Sequence, residues 1–283
     1  MSKELKDVTK LKYYDVSSNN PIEAKLGISK RKKLYHYTTK IGSKGILESN
    51  TLWVTHSNFL DDITEIRYIS LVLEGVIRYL YENKELYDVG VKGQFYVYEA
   101  IIKTLEALRK IYKYSAPITG GNIFILSLTE NGDNGFLYEN YCKANGAVLE
   151  FRNDINSMFR ENKYLCVIQP TKVEYDFSKQ MILLLEDINE FYAELLNNLI
   201  GEKTVNYMEL IETIKSVIYI KIINYSFFFK HFNFAKEEEC RVIFLAEEAF
   251  EPVKYRRKSN RKIPYIEVNF NKNSLLGTRF IQN

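Results

Sequence analysis

Short runs rich in aromatic and β-branched residues alternate along the chain with longer segments in which apolar residues recur every three or four positions. The first pattern is typical of strands and the second of amphipathic helices. The predicted strands are Leu34–Thr38, Thr51–Thr55, Phe124–Glu130, Ala147–Phe151, Tyr164–Gln169, Lys172–Tyr175, Glu238–Leu245 and Pro264–Phe270. The predicted helices are Ile41–Leu47, a segment after Asp61 and Asp62, Gln94–Tyr114, Phe136–Cys142, Met181–Ile200 and Tyr207–Tyr219. This mixture predicts an α+β fold.

The order of these segments also predicts the domain organisation. Residues 1–33 are read as an N-terminal arm, and residues 34–283 as a single α+β domain. Helical insertions are expected at about 61–115 and about 181–220, with Asp61 or Asp62 capping the first helix. The run Phe124–Glu130 is mostly apolar, so we expect it to be a central strand.

Composition places the chain among ordinary globular proteins. Of its 283 residues, 46% are hydrophobic and 27% are charged, which is enough to bury a sizeable core. The aromatic content is high, with 22 tyrosines and 17 phenylalanines. These rings either pack the core or line a pocket with stacking surfaces.

The net charge of +3 is too small to indicate a nucleic-acid partner by itself. The basic residues cluster near the C-terminus, at Lys254, Arg256, Arg257, Lys258, Arg261 and Lys262. Such a cluster is either a solvated loop or a contact for nucleic-acid phosphates.

The three cysteines, Cys142, Cys166 and Cys240, are isolated in the sequence, which indicates reduced thiols and no metal motif. The N-terminus is charged and lacks an apolar signal core, and no apolar run is long enough to span a membrane. We therefore expect a cytoplasmic protein without a membrane partner. Signatures of P-loop nucleotide hydrolysis, zinc proteolysis and serine hydrolysis are missing from the sequence.

Several motifs recur in an order that resembles a known family. The chain has Tyr-His-Tyr-Thr at 35–38, Gly-Ile-Leu-x-Ser-x-Thr-Leu-Trp at 45–53, and Asn58-Phe59-Leu60-Asp61-Asp62 with Glu65. It also has Ser-Leu-Thr-Glu at 127–130 and Phe-x-x-Glu-x-Glu-x-Arg at 234–241. Together these resemble the bacterial domain-of-unknown-function family 2971. Tyr138 stands where that family usually has tryptophan, and Thr129 where it has serine. The first segment is also similar to the opening of the ADP-ribosyltransferase fold.

The second resemblance implies a split antiparallel sheet and NAD as a substrate. It implies that His36 bonds a ribose hydroxyl and that Tyr37 or Tyr35 stacks on nicotinamide, with Thr38 beside them. It further implies that Ser127 and Thr129, which alternate onto one face of a strand, support the NAD pocket.

Glu237, Glu239 and Arg241 are spaced so that an extended chain would present them on one side. The functional interpretation gives Glu239 or Glu237 the catalytic role at an oxocarbenium-like ribosyl centre. Arg241 would hold that carboxylate ionised or bind a pyrophosphate. The alternative is an ion-pair ladder on an exposed sheet face.

The leading hypothesis is an ADP-ribosyltransferase-like enzyme of bacterial toxin or antiphage systems that modifies a protein or nucleic acid. One alternative is a non-catalytic module that senses a nucleotide or nucleic acid through the basic cluster. A second alternative is a metal-dependent nuclease that uses Asp61, Asp62, Glu237 and Glu239.

Overall fold

A computed structural model describes residues 22–62, 64–114, 122–142, 145–154, 158–160, 165–200, 206–247, 253–258 and 260–281. The chain divides into a helical unit, with residues up to 25, 64–118 and 174–232, and a sheet unit, with residues 26–63, 119–173 and 233–283. Most of the predicted arm lies outside the described residues; its end forms helix α1, Ile22–Leu26. The single-domain organisation of residues 34–283 stays a prediction.

The longer helices of the helical unit are α3 (Ile69–Glu82), α4 (Gln94–Tyr114), α5 (Phe177–Leu199) and α6 (Tyr207–Phe228), with α2 (Lys40–Ser49) in the sheet unit. Helix α3 packs on α4 and α5, and α4 packs on α6. Within the described part of the chain, no helix combines the length and apolarity needed to cross a bilayer.

The start of α3 differs from the prediction. A 3₁₀ turn, Ile66–Tyr68, leads into the helix, and no side chain caps its first turn. The cap predicted at Asp61 or Asp62 is therefore wrong, since the regular helix begins at Ile69. Helix α5 is capped instead by Asp176, whose carboxylate accepts a hydrogen bond from the Lys179 N–H.

A charged cluster links α1, α5 and α6 within the helical unit. The carboxylate of Asp187 on α5 accepts hydrogen bonds from Lys25 on α1 at 2.7 Å and from Lys221 on α6 at 2.9 Å. Lys25 also reaches the exposed carboxylate of Glu190 at 3.1 Å. Burial alone would raise the pKa of Asp187, but the two lysines outweigh it and lower that pKa below its usual value.

The sheet unit contains one antiparallel sheet, which confirms the predicted α+β class. Its strands are β1 (Lys33–Thr39), β2 (Thr51–His56), β3 (Asn122–Thr129), β4 (Gly146–Arg152), β5 (Leu165–Lys172), β6 (Glu239–Ala246), β7 (Lys254–Lys258), β8 (Arg261–Asn269) and β9 (Leu275–Phe280). The main order is β7-β8-β2-β3-β1-β4-β9, with β6 on β3 and β5 on β6. Strand β3 is central, as its apolar sequence predicts.

One face of the sheet forms a hydrophobic core. Alternate residues of its strands, including Leu126 and Leu128 on β3 and Cys240 and Val242 on β6, are fully or almost fully buried there. The residues between them face the opposite side because side chains alternate along a strand. That opposite side carries the polar residues Ser127 and Thr129 of β3 and Glu239 and Arg241 of β6.

Candidate functional site

Strand β3 has different neighbours on its two sides. On one side it pairs with β6 along its whole length, from Asn122 with Ala246 to Thr129 with Glu239. On the other side β2 pairs with the beginning of β3, and β1 meets only its end, where Tyr35 lies opposite Thr129. No strand among the described residues pairs with residues 126–128 on that side. The sheet is therefore split between β1 and β2.

His36 lies at this split. Its Nδ1 is 3.3 Å from the backbone oxygen of Ser127 in the middle of β3. A carbonyl oxygen only accepts, so Nδ1 carries the proton in this contact and Nε2 is left as an acceptor. Burial lowers the pKa of His36, although the hydrogen bond to Ser127 acts in the opposite direction. The imidazole is therefore neutral at neutral pH.

The predicted site residues of β1 divide between the two faces of the sheet. His36 and Thr38 alternate with Tyr35 and Tyr37, and His36 pairs with Leu149 of the core face. On the face opposite the core, the strand register brings together Tyr35, Tyr37, Ser127, Thr129, Glu239 and Arg241. Ser127 is exposed there, opposite Arg241.

Arg241 and Glu239 form an ion pair within β6. The guanidinium donates from Nε to Oε1 at 2.8 Å and from Nη2 to Oε2 at 3.0 Å. Burial lowers the pKa of Arg241 to about 9, which still leaves the group protonated at neutral pH. Only 1% of Arg241 and 5% of Glu239 is exposed, so the alternative of a ladder on an exposed sheet face is wrong.

Glu237 does not continue the strand, contrary to the extended pattern predicted for residues 237–241. It ends a 3₁₀ turn, Phe232–Glu237, and β6 begins only at Glu239. The intervening Glu238 has a φ of 48°, a left-handed conformation that costs a non-glycine residue stability. This backbone reversal leaves the Glu237 carboxylate buried, where it accepts a hydrogen bond from the Tyr141 hydroxyl at 3.2 Å.

Residues of β3 and of the turn after it form hydrogen bonds to the strained residue Glu238. The Thr129 hydroxyl donates to the Glu238 carbonyl at 2.9 Å, and the Asn131 side-chain amide donates to the Glu238 carboxylate at 2.9 Å. Thr129, predicted to support the NAD pocket, is thus engaged in fixing the backbone before β6. The carboxylate of Glu238 itself is exposed.

Tyr37 fixes the turn that follows β3. Its hydroxyl donates to the Asn131 carbonyl at 2.9 Å and accepts from the Asn134 N–H at 2.9 Å. Burial raises its pKa to about 12, so the hydroxyl keeps its proton at neutral pH. The Tyr35 ring lies against Gly132, where a Cβ would come within 2.6 Å of the ring carbons.

Residues 131–135 have the composition of a turn and are not among the predicted site residues. Asn131 and Asn134 nevertheless bind Glu238, Tyr37 and the Lys236 carbonyl. Tyr141 was also missed as a partner of Glu237. The available signal was the density of asparagine and glycine directly after a central strand, because asparagine side chains bond nearby backbone in turns.

The residues predicted for a metal-dependent nuclease do not form a metal site among the described residues. Within the described part of the chain, no cluster of three or more histidine, cysteine, aspartate or glutamate side chains has the geometry to hold a metal ion. Asp61 and Asp62 thus do not form such a site with Glu237 and Glu239. The three cysteines are free thiols.

The basic cluster forms the hairpin of β7 and β8, so its cations are divided between two faces. Lys254 and Arg256 point to one face and Arg257 and Lys262 to the other. Lys254 pairs with Glu267 at 2.8 Å, and Arg256 donates to the Thr55 hydroxyl at 3.0 Å. Lys262 lies over the Tyr255 ring at 4.1 Å. Arg261 is exposed, and Lys258 ends β7.

Comparison with known proteins adds no relative: no family model, no curated protein and no solved structure matches this chain.

Proposed function

We propose that this chain is an ADP-ribosyltransferase-like enzyme that takes NAD as its substrate and modifies a macromolecule. The observation that carries the proposal is the split in the antiparallel sheet, with neutral His36 at the gap and acidic residues around the start of β6. A split sheet with a catalytic carboxylate on a late strand is what the resemblance implies for this fold. The proposal includes membership of the bacterial domain-of-unknown-function family 2971 and a role in bacterial toxin or antiphage systems.

In the proposed complex, the ribose of NAD lies at the gap between β1 and β2. His36 Nε2 accepts a hydrogen bond from a ribose hydroxyl, which the neutral ring is able to do. From the sheet face opposite the one that His36 shares with the core, the half-buried Tyr35 offers its ring to nicotinamide and the exposed Ser127 offers a hydroxyl. Tyr37 acts by holding the neighbouring turn, because its side chain is buried and its hydroxyl is engaged.

The acidic residues are proposed to have separate roles. The bond from the ribose C1′ to nicotinamide breaks, nicotinamide leaves as a neutral molecule, and positive charge develops on the ribosyl group. Glu239, held ionised by Arg241, stabilises that charge. Glu237 takes the proton from the acceptor group as it attacks C1′. The Tyr141 hydroxyl orients the Glu237 carboxylate.

The test is NAD-dependent thermal stabilisation together with nicotinamide release, for the wild type and for Glu237→Gln, Glu239→Gln and Glu238→Gln. We expect release to fall by about 10²-fold or more in the first two variants, the scale of a lost acid–base group. Glu238→Gln is the matched control, because it makes the same change on an exposed side chain between the other two. Circular dichroism confirms that each variant is folded. If the wild type neither binds NAD nor releases nicotinamide, the proposal fails.

The acceptor is proposed to be a protein or a nucleic acid. Labelled NAD incubated with each class of acceptor identifies which one takes up the ADP-ribosyl group. A nucleic-acid acceptor bound through Arg257 and Arg261 would lose affinity steeply as salt rises, because phosphate contacts release counterions. A protein acceptor would show a shallower salt dependence.

A further inference from the structure

A cavity of about 520 Å³ lies in the sheet unit, and three of its six lining residues are cationic. The lining residues are Arg152, Arg160, Asn271, Lys272, Asn273 and Ser274. None of the six carries a negative charge. The volume is within the range of small-molecule sites.

Three separate segments supply the positive charges. Arg152 ends β4, Arg160 follows the bridge of Phe159 to Phe270, and Lys272 begins the 3₁₀ turn before β9. The chain segments are joined by backbone hydrogen bonds, from Arg160 to the Asn269 carbonyl and from Asn271 to the Met158 carbonyl. The cations therefore project from a fixed frame.

The frame is anchored in the core. Met158, Phe159 and Phe270 are almost fully buried in the cluster that includes Cys240, on the face opposite Glu239 and Arg241. Ser274 is also buried, and its hydroxyl donates to the Asn271 carbonyl at 2.6 Å. The exposed ends of Arg152, Arg160 and Lys272 can then adjust to a ligand without disturbing this backbone.

Among the described residues, no carboxylate forms an ion pair with any of the three cations. To the described residues, the side chains of Arg152, Arg160 and Lys272 make neither an ion pair nor a hydrogen bond. Some other exposed cations of the sheet unit do have a carboxylate partner, as Lys33 has in Glu150 and Lys254 in Glu267. Like charges gathered on one cavity repel each other, and an anion relieves that repulsion.

We propose that this cavity binds the diphosphate group of a nucleotide-type small molecule. Arginine guanidinium groups bind phosphate oxygens in pairs, and lysine adds a point charge. A single phosphate carries at most about two negative charges, fewer than the three cations that face the cavity. The amide side chain of the exposed Asn273 supplies both a donor and an acceptor for the remainder of the ligand. This site is additional to the NAD site proposed above.

Calorimetric titration of the full chain tests the proposal with inorganic pyrophosphate and with ADP as probes. The wild type is compared with Arg152→Gln, Arg160→Gln and their double variant. Arg78→Gln is the matched control, because it removes one exposed arginine of α3 in the helical unit. We expect each cavity variant to weaken binding about tenfold or more and the control to leave it unchanged.

Three results would overturn the proposal. The first is that neither pyrophosphate nor ADP binds the wild type, and the second is that the cavity variants bind them as well as the control does. The third is that ADP does not bind, whereas a single-stranded oligonucleotide binds the wild type and binds the cavity variants more weakly. That result would show that the cations contact the phosphates of a nucleic acid. Nicotinamide release by the double variant shows whether the cavity is distinct from the NAD site. Unchanged release supports a separate site. Loss of release together with loss of ADP binding would show that the cavity is part of the NAD site.

Discussion

The guanidinium of Arg241 donates two hydrogen bonds to the carboxylate of Glu239, two residues before it on the same strand. Both groups are buried, so each compensates the other for the water it has lost. Removing one partner leaves the other group buried without these two hydrogen bonds. The pair therefore limits which substitutions β6 tolerates, whatever its role in chemistry.

Glu239→Gln is expected to lower the free energy of unfolding by about 3–5 kcal/mol, because it leaves the Arg241 charge buried. Urea denaturation measures the loss. Glu238→Gln, one residue earlier and exposed, keeps a side-chain oxygen for the Asn131 amide and should change stability by about 0.5 kcal/mol or less. Equal effects of the two substitutions would contradict the importance of the buried pair.

Stability is expected to fall as pH drops below about 6.5, the ordinary pKa of histidine. Burial lowers the pKa of His36 in the folded state, so only the unfolded chain takes up a proton in this range, and the folded state loses stability. The loss is at most about 1.4 kcal/mol per pH unit for one histidine.

Denaturation curves between pH 5 and pH 7.5 check this expectation for the wild type and His36→Gln. Glutamine keeps an N–H donor for the Ser127 carbonyl and does not titrate, so the variant should show a weaker pH dependence. Burial also lowers the pKa of His56, so this residue contributes to the pH dependence in the same direction. The variant should keep the contribution of His56. An identical slope in wild type and variant would show that His36 is protonated equally in both states.

Tyr37→Phe is expected to destabilise the protein by about 1–3 kcal/mol, since it removes the partner of the Asn134 N–H and the donor to Asn131. Tyr35→Phe is the matched control, because the Tyr35 hydroxyl makes no hydrogen bond to the described residues. Thermal unfolding compares the two. The prediction is contradicted if both substitutions have the same small effect.

In the helical unit, Asp187→Asn is expected to cost about 2–3 kcal/mol, because Lys25 and Lys221 both lose a charged acceptor. The lysines lower the pKa of Asp187 in the folded state. The stabilisation from its ion pairs is therefore fully present above the ordinary pKa of aspartate and is lost as the pH falls through the lowered pKa. The difference in free energy of unfolding between wild type and variant, measured by urea denaturation, should therefore become smaller in strong acid. Glu190→Gln serves as the control, because that carboxylate meets the same Lys25 from an exposed position.

The sequence predicts the elements of this site better than their arrangement. Residues 94–114 form the predicted helix, and β1, β2 and β6 lie within one or two residues of their predicted limits, because their apolar patterns are strong. Strands β7 and β9 were not predicted. Strand β7 is almost entirely basic and gains strand structure by pairing with β8, and β9 pairs with β4, so long-range contacts decide both.

The error at Glu237 has a local cause. Alternation along an extended chain placed Glu237 beside Glu239, but the left-handed backbone of Glu238 breaks the extended conformation. That conformation depends on Thr129 and Asn131, which lie more than a hundred residues earlier in the chain. A sequence window around residue 238 contains no sign of those partners.

The division of the chain has a consequence for how the protein is made. The chain passes from one unit to the other five times, after residues 25, 63, 118, 173 and 232. During synthesis, β3 cannot pair with β6 until a much later part of the chain has been made. Thr129 of β3 pairs with Glu239, the first residue of β6, which lies 110 positions further along the chain. Such distant pairing raises the contact order, which slows folding and exposes unpaired strand edges meanwhile. Neither unit is a contiguous stretch of the chain, so no simple truncation of the gene yields one of them alone.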